Sequence, residues 1–173
     1  MLPIDLFWRA ADRWPDNIAI DAPEGRVSYR DLAARVAALA THFIALDPTP
    51  QSRVGICAGN SAEHIVALLA VLASGKIWVP LNPKSTQPEL RRIVDATTPG
   101  IVVLDTACDA LLEGADGARL YTDSVEGADR RGDTLASAIA RHADAARPML
   151  DLHRDATQAI KFTGGTTGAP KGV

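Results

Sequence analysis

The sequence predicts an α/β domain with a mainly parallel sheet and flanking helices. Three observations predict it. Short apolar runs at 53–58, 77–81 and 101–104 alternate with stretches of helical period, and strand–helix–strand repetition builds a parallel sheet through right-handed crossovers. Capping residues open the intervening stretches, and Gly75 closes one of them. A Gly- and Thr-rich segment follows a last apolar run at 159–162, and open α/β sheets bind ligands beyond the carboxyl ends of their strands.

Residues 5–14 read as a short amphipathic helix with Leu6, Phe7, Ala10, Ala11 and Trp14 on its inner face. Pro15-Asp16-Asn17 ends it. Two strand-like runs, 18–20 and 26–29, flank Ala22-Pro23-Glu24-Gly25, a hairpin turn. Ser28, with Asp31 three residues on, caps a helix to about Leu46. Its stripe of Leu32, Val36, Leu39, Phe43 and Leu46 marks a core face.

Residues 48–52 break the pattern as a linker, dividing a segment 1–47 from an α/β subdomain 53–173. After the strand at 53–58, Asn60 and Glu63 read as the capping pair of a helix over 61–74. That helix is apolar on most sides, as a helix buried between layers is. Gly75 fits its C-terminal stop. Thr86 and Glu89 form a capping box before a helix carrying Leu90, Ile93 and Val94. Residues 118–121 read as a short strand, 123–133 as an exposed polar loop, 135–143 as a short helix and 148–157 as a connection.

The 173 residues suffice for one core, and 47% of them are apolar. The formal net charge is −3 and no basic run exists, which argues against a nucleic-acid surface. The longest apolar stretch, 65–73, is too short to span a bilayer. The N-terminus lacks the basic and apolar regions of a signal peptide. Cys57 and Cys108 lack metal spacing and read as free thiols of a reducing compartment. The expectation is a soluble cytoplasmic protein. His42, His64, His142 and His153 are scattered without ligand spacing and read as surface or helix-face residues, so no metal site is expected. Trp8, Trp14 and Trp78 read as core or rim residues, and no serine sits in a nucleophile elbow.

The chemistry concentrates in the last segment, Phe162-Thr163-Gly164-Gly165-Thr166-Thr167-Gly168-Ala169-Pro170-Lys171-Gly172-Val173. Glycines allow a concave turn, and convergent N–H groups form an anion nest that hydroxyls and a lysine complete. The matching ligand is a phosphate chain. A Walker A loop is excluded, because Ala169-Pro170 precedes Lys171 and Gly172 follows it. The spacing of a dinucleotide fingerprint is also missing. By composition alone, the segment equally fits a polar turn.

The residue order Thr163-Gly164-Gly165-Thr166-Thr167-Gly168-Ala169-Pro170-Lys171-Gly172 resembles the phosphate loop of the adenylate-forming (AMP-binding) enzymes. These include acyl-CoA synthetases, luciferase-like ligases and peptide-synthetase adenylation domains. Many members have Ser where this chain has Gly164. Val27-Ser28-Tyr29-Arg30-Asp31-Leu32 resembles the family's first core motif, and residues 72–83 resemble its second. The resemblance thus covers essentially the whole chain, as the N-terminal portion of an acyl-CoA synthetase-like large domain.

The resemblance implies two steps. A carboxylate attacks the α-phosphate of ATP to give an acyl-adenylate and pyrophosphate. A thiol, usually that of coenzyme A, then displaces AMP. By the same likeness Thr163, Thr166 and Thr167 donate hydroxyls to the β- and γ-phosphates. Gly164, Gly165 and Gly168 let the backbone close around them, Lys171 supplies positive charge, and Mg²⁺ shares it. Fatty and aromatic acids are the substrate classes the likeness leans toward.

In the family the adenine pocket, acidic Mg²⁺ ligand, carboxylate pocket and C-terminal lysine come later. The expectation is an inactive N-terminal fragment without a catalytic residue of its own. Two alternatives stay open. One is an adenylation domain that loads a carrier-protein thiol. The other is a short non-catalytic binding module that self-associates through exposed apolar faces.

Overall fold

The computed structural model describes residues 1–123, 132–163 and 171–172. Helix α1 (Pro3–Arg13) leads into a hairpin of β1 (Ile18–Ala22) and β2 (Gly25–Ser28), followed by α2 (Tyr29–Leu46). Strand β3 (Arg53–Cys57), α3 (Ala62–Ala73), β4 (Ile77–Pro80), α4 (Gln87–Thr97) and β5 (Ile101–Leu104) then alternate. Two 3₁₀ turns, Thr106–Cys108 and Ala110–Leu112, precede β6 (Ala118–Tyr121), β7 (Asp133–Thr134) and α5 (Leu135–Arg141). Strands β8 (Phe162–Thr163) and β9 (Lys171–Gly172) close the chain.

Five strands form one sheet in the order β4-β3-β5-β6-β7, and every pair in it is parallel. Parallel strands are covered on both faces, so their side chains alternate between two cores. Val54, Ile56, Ile101, Val103 and Leu120 face α1, α2, α3 and α5. Cys57, Val79, Val102, Leu104 and Tyr121 face Leu90 and Val94 of α4 and the 3₁₀ turns. This double burial explains the unbroken apolar runs of the sequence.

Local chemistry sets the helix ends. Ser28 Oγ accepts from the Asp31 N–H at 3.1 Å and donates to the Asp31 carboxylate at 2.7 Å. The Thr86 N–H donates to Glu89 Oε2 at 2.9 Å. Gly75 takes φ +71° after α3, a left-handed conformation that side chains disfavour.

Several expectations are corrected. The buried face of α1 is Ile4, Trp8 and Ala11, while Leu6 and Trp14 are exposed. Trp14 lies past the end of the helix, and the neighbouring α2 and α3 bury the stripe of Ile4, Trp8 and Ala11 rather than the one through Leu6. Leu46 is exposed where α2 runs beyond its partners. Ser61, not Asn60, caps α3, accepting from the His64 N–H at 3.1 Å. Asp133, expected in a loop, pairs with β6 across Leu120. Of the loop 123–133, residues 124–131 lie outside the described residues. His42 is buried between α2 and α5, with Nδ1 3.4 Å from Nε2 of His142.

The turn after α2 is held by a buried cation. Lys76 is 2% exposed, and its Nζ donates to the carbonyls of Asp47 (2.6 Å) and Thr49 (3.3 Å) and to Ser52 Oγ (2.7 Å). Burial lowers the Lys76 pKa from the ordinary lysine value, and Asp47 opposes that shift. Hydrogen bonds from Ser52 and Thr49 hold the Asp47 carboxyl at about 2.

Lys76→Met is expected to lower stability in urea melts by on the order of 1–2 kcal/mol, since three acceptors, two of them half-buried, lose their donor. His42 is lowered from 6.5 to about 4, first by burial and then by Arg141 and His142. The unfolded chain therefore binds the extra proton first, and stability falls as pH drops from 6.5 toward 4. Melts at pH 7 and pH 4.5 should differ by on the order of 2 kcal/mol from this group. A His42→Leu variant should show a correspondingly shallower dependence.

Candidate functional site

The last strands are placed by the edge of the sheet. The Trp78 N–H of β4 donates to the Gln158 carbonyl at 3.0 Å, and the Ile160 N–H donates to the Trp78 carbonyl at 2.9 Å. Trp78 and Ala159 thus form a parallel bridge. The incoming chain runs in the direction of β4 and leaves the sheet at the rim where β3, β4, β5 and β6 end. The apolar run expected as one strand over 159–162 is split: Ala159 bridges β4, and Phe162 begins β8.

Strand β8 turns back onto β9 in antiparallel register, with Phe162 opposite Gly172 and Thr163 opposite Lys171. The backbones of Thr163 and Lys171, two of the expected phosphate-binding residues, are therefore brought together as the two ends of a closed loop. Gly164, Gly165, Thr166, Thr167 and Gly168 lie outside the described residues. Strand β8 begins beyond the carboxyl end of β4, the side on which open α/β sheets bind ligands.

Beside it lies a cleft of about 490 Å³, whose lining includes Asn60, His64, Trp78, Asn82, Lys161 and Phe162. Nδ1 of His64 sits 3.2 Å and 3.1 Å from the carbonyl oxygens of Ala58 and Gly59. Two carbonyl acceptors there mark Nδ1 as a proton-bearing nitrogen of the ring. Lys161 Nζ stands 5.3 Å from the centroid of the Trp78 ring. Trp78 Nε1 is shielded from solvent and has no hydrogen-bond partner among the described residues.

The rim is stitched by short side chains. The Gly59 N–H donates to Asp105 Oδ2 at 2.7 Å, and Thr122 Oγ1 donates to Asp105 Oδ1. The Thr106 N–H and Oγ1 donate to Asp123 Oδ1 at 3.0 and 2.8 Å. Cys57 and Cys108 are buried in one cluster, and burial pushes both thiols up from their ordinary pKa. They stay protonated near neutrality and are not nucleophiles. Among the described residues no group of three or more His, Cys, Asp or Glu is placed to hold a metal, and no helix is long and apolar enough to cross a membrane.

Sequence reasoning missed His64, Lys161 and Trp78 as residues of this cleft. Lys161 left one signal, a lone charge inside an apolar run. The other two carry none, because only the pairing of 158–160 with β4 brings them beside the loop.

Comparisons with known proteins agree with this geometry. The family described as AMP-binding enzyme matches residues 7–173. Phosphinothricin tripeptide synthetase PhsC of Streptomyces viridochromogenes is 31% identical over 164 residues, 95% of this chain and 14% of its own length. The anthranilate CoA ligase AuaEII, solved with anthranoyl-AMP, superposes with a TM-score of 0.88 at 19% identity, covering all of this chain and 34% of its own. Apo MatB from Rhodopseudomonas palustris superposes with a TM-score of 0.79 at 30% identity, covering 98% and 34%. The chain thus spans about a seventh of the curated relative and a third of each of the two solved chains. With its length matched and its α/β sheet shared with these enzymes, the chain belongs to the family of AMP-binding, adenylate-forming enzymes.

Proposed function

We propose that the protein activates a carboxylic acid with MgATP and passes the acyl group to a thiol. One observation carries the reading: a Gly- and Thr-rich loop closed by Thr163 opposite Lys171, at the carboxyl rim of a parallel sheet, in a chain of this family. A carboxylate oxygen attacks the α-phosphorus. The bond to the bridging oxygen breaks, and pyrophosphate leaves with that electron pair. The loop's task is to hold the leaving diphosphate in line and spread its charge. Thr163, Thr166 and Thr167 donate hydroxyls to the β- and γ-phosphates. Gly164, Gly165 and Gly168 let main-chain N–H groups approach, and Lys171 supplies a full charge.

In the second step a thiolate sulfur attacks the acyl carbon and AMP departs. Coenzyme A is the acceptor of the first reading, with a fatty or aromatic acid as substrate. A second reading takes a carrier-protein thiol as the acceptor. It is favoured by the likeness to PhsC, a tripeptide synthetase.

Carboxylate-dependent exchange of labelled pyrophosphate into ATP tests the first step in the protein that carries this chain. The expected result is exchange with one class among aliphatic, aromatic and amino acids. Replacing both Thr166 and Thr167 by Val should slow it about a hundredfold. No exchange with any class would sink the proposal. Thioester formation on free coenzyme A, or on a carrier domain in its place, decides the acceptor.

A further inference from the structure

The segment that leads into the loop is attached to the sheet at one residue. Among the described residues, the main-chain hydrogen bonds joining 158–162 to the five-stranded sheet are two, and both run through Trp78. A strand held by one bridge is free to pivot about it, because each further ladder bond is what removes rotation. Something else has to set the direction in which Lys161 and Phe162 leave the edge. The side chain of the same tryptophan stands there. Its ring packs against the main core on one side and lines the cleft beside Phe162 on the other. Lys161 Nζ lies over the ring face at 5.3 Å. No Asp or Glu lines that cleft, and Lys161 has no carboxylate partner among the described residues. The ring is the ammonium's recorded partner, and a cation over an indole is the strongest of such pairings.

We propose that Trp78 and Lys161 are positioning residues for the phosphate loop: Trp78 holds the strand that leads into it by main chain and ring together, and Lys161 locks onto the ring as the strand departs. The consequence rests on the phosphate-binding reading given above. Two residues past Lys161, Thr163 meets Lys171, so a pivot at Ala159 moves both ends of the loop together. The hold comes from the ring face. The indole N–H, unpartnered among the described residues, takes no part in it.

The test combines hydrogen–deuterium exchange with tripolyphosphate titration of the protein that carries this chain and its Trp78→Ala, Trp78→Phe, Lys161→Met and Lys161→Arg variants. Trp78→Ala should speed exchange at 158–163 while β5 stays protected, and weaken tripolyphosphate binding about tenfold. Trp78→Phe keeps a ring face and should preserve both. Lys161→Met should loosen the same segment and cost about threefold in binding, with Lys161→Arg restoring it. Unchanged exchange in Trp78→Ala and Lys161→Met overturns the proposal. So does a Trp78→Phe variant as damaged as Trp78→Ala, since the N–H would then carry the hold. If Trp78→Ala does not fold, the Lys161 pair decides alone. A wild-type protein that binds no tripolyphosphate would sink the phosphate-loop reading, while exchange at 158–163 still decides whether Trp78 and Lys161 hold the strand.

Discussion

Parallel pairing of five strands is the constraint on which the rest depends. It sends every strand out at the same rim, and it forces a crossover between neighbours that buries both faces of the sheet. The helices α3 and α4 are those crossovers, and the two alternating cores are their consequence. The rim is where Gly59, Asp105, Thr106, Thr122 and Asp123 tie the loops to one another. A sixth segment, added in parallel at the β4 edge, must deliver its loop to that same rim. The pairing fixes the rim at which that segment departs, and its direction of departure is left to side-chain contacts.

The second feature is how much of the fold rests on single side chains at the turns. Lys76 satisfies three acceptors of the 47–52 turn from a position with almost no water access. A linker by composition thus becomes an ordered turn, because a buried ammonium stays charged only if every donor is used. Trp78, two residues on, bridges Ala159 at the sheet edge. The motif spanning 72–83, structural by resemblance, thereby holds both the 47–52 turn and the 158–160 segment. Gly75 precedes Lys76 and Trp78 and ends α3 at positive φ, where the chain reverses into β4.

Belonging to the AMP-binding family sets the chemistry to be weighed. Hydroxyls, main-chain N–H groups and one lysine suit charge stabilisation of a departing diphosphate rather than covalent catalysis. The buried thiols of Cys57 and Cys108 agree, being held protonated away from any substrate.

Local rules made much of this legible in sequence. Runs buried on both faces announce parallel strands, so β3, β4 and β5 were readable, as were the caps at Ser28 and Thr86 and the stop at Gly75. The order of residues 163–172 pointed to the family, because glycine, threonine and lysine in that order satisfy one task. What sequence did not carry was pairing between distant segments. His42 beside His142, Cys57 beside Cys108, Lys76 under residues 47–52 and Trp78 under Lys161 each join residues far apart in the chain. The inner face of α1 failed for the same reason: periodicity names a face, but only the neighbouring helix decides which stripe is buried. The sequence by itself determined most of the elements and their period, and its residue order set the expectation of a phosphate loop, since those follow from backbone preference and side-chain type. Tertiary structure decided which edge receives the loop and which side chains hold it there, because those contacts exist only once the parallel sheet has brought its strand ends to one rim.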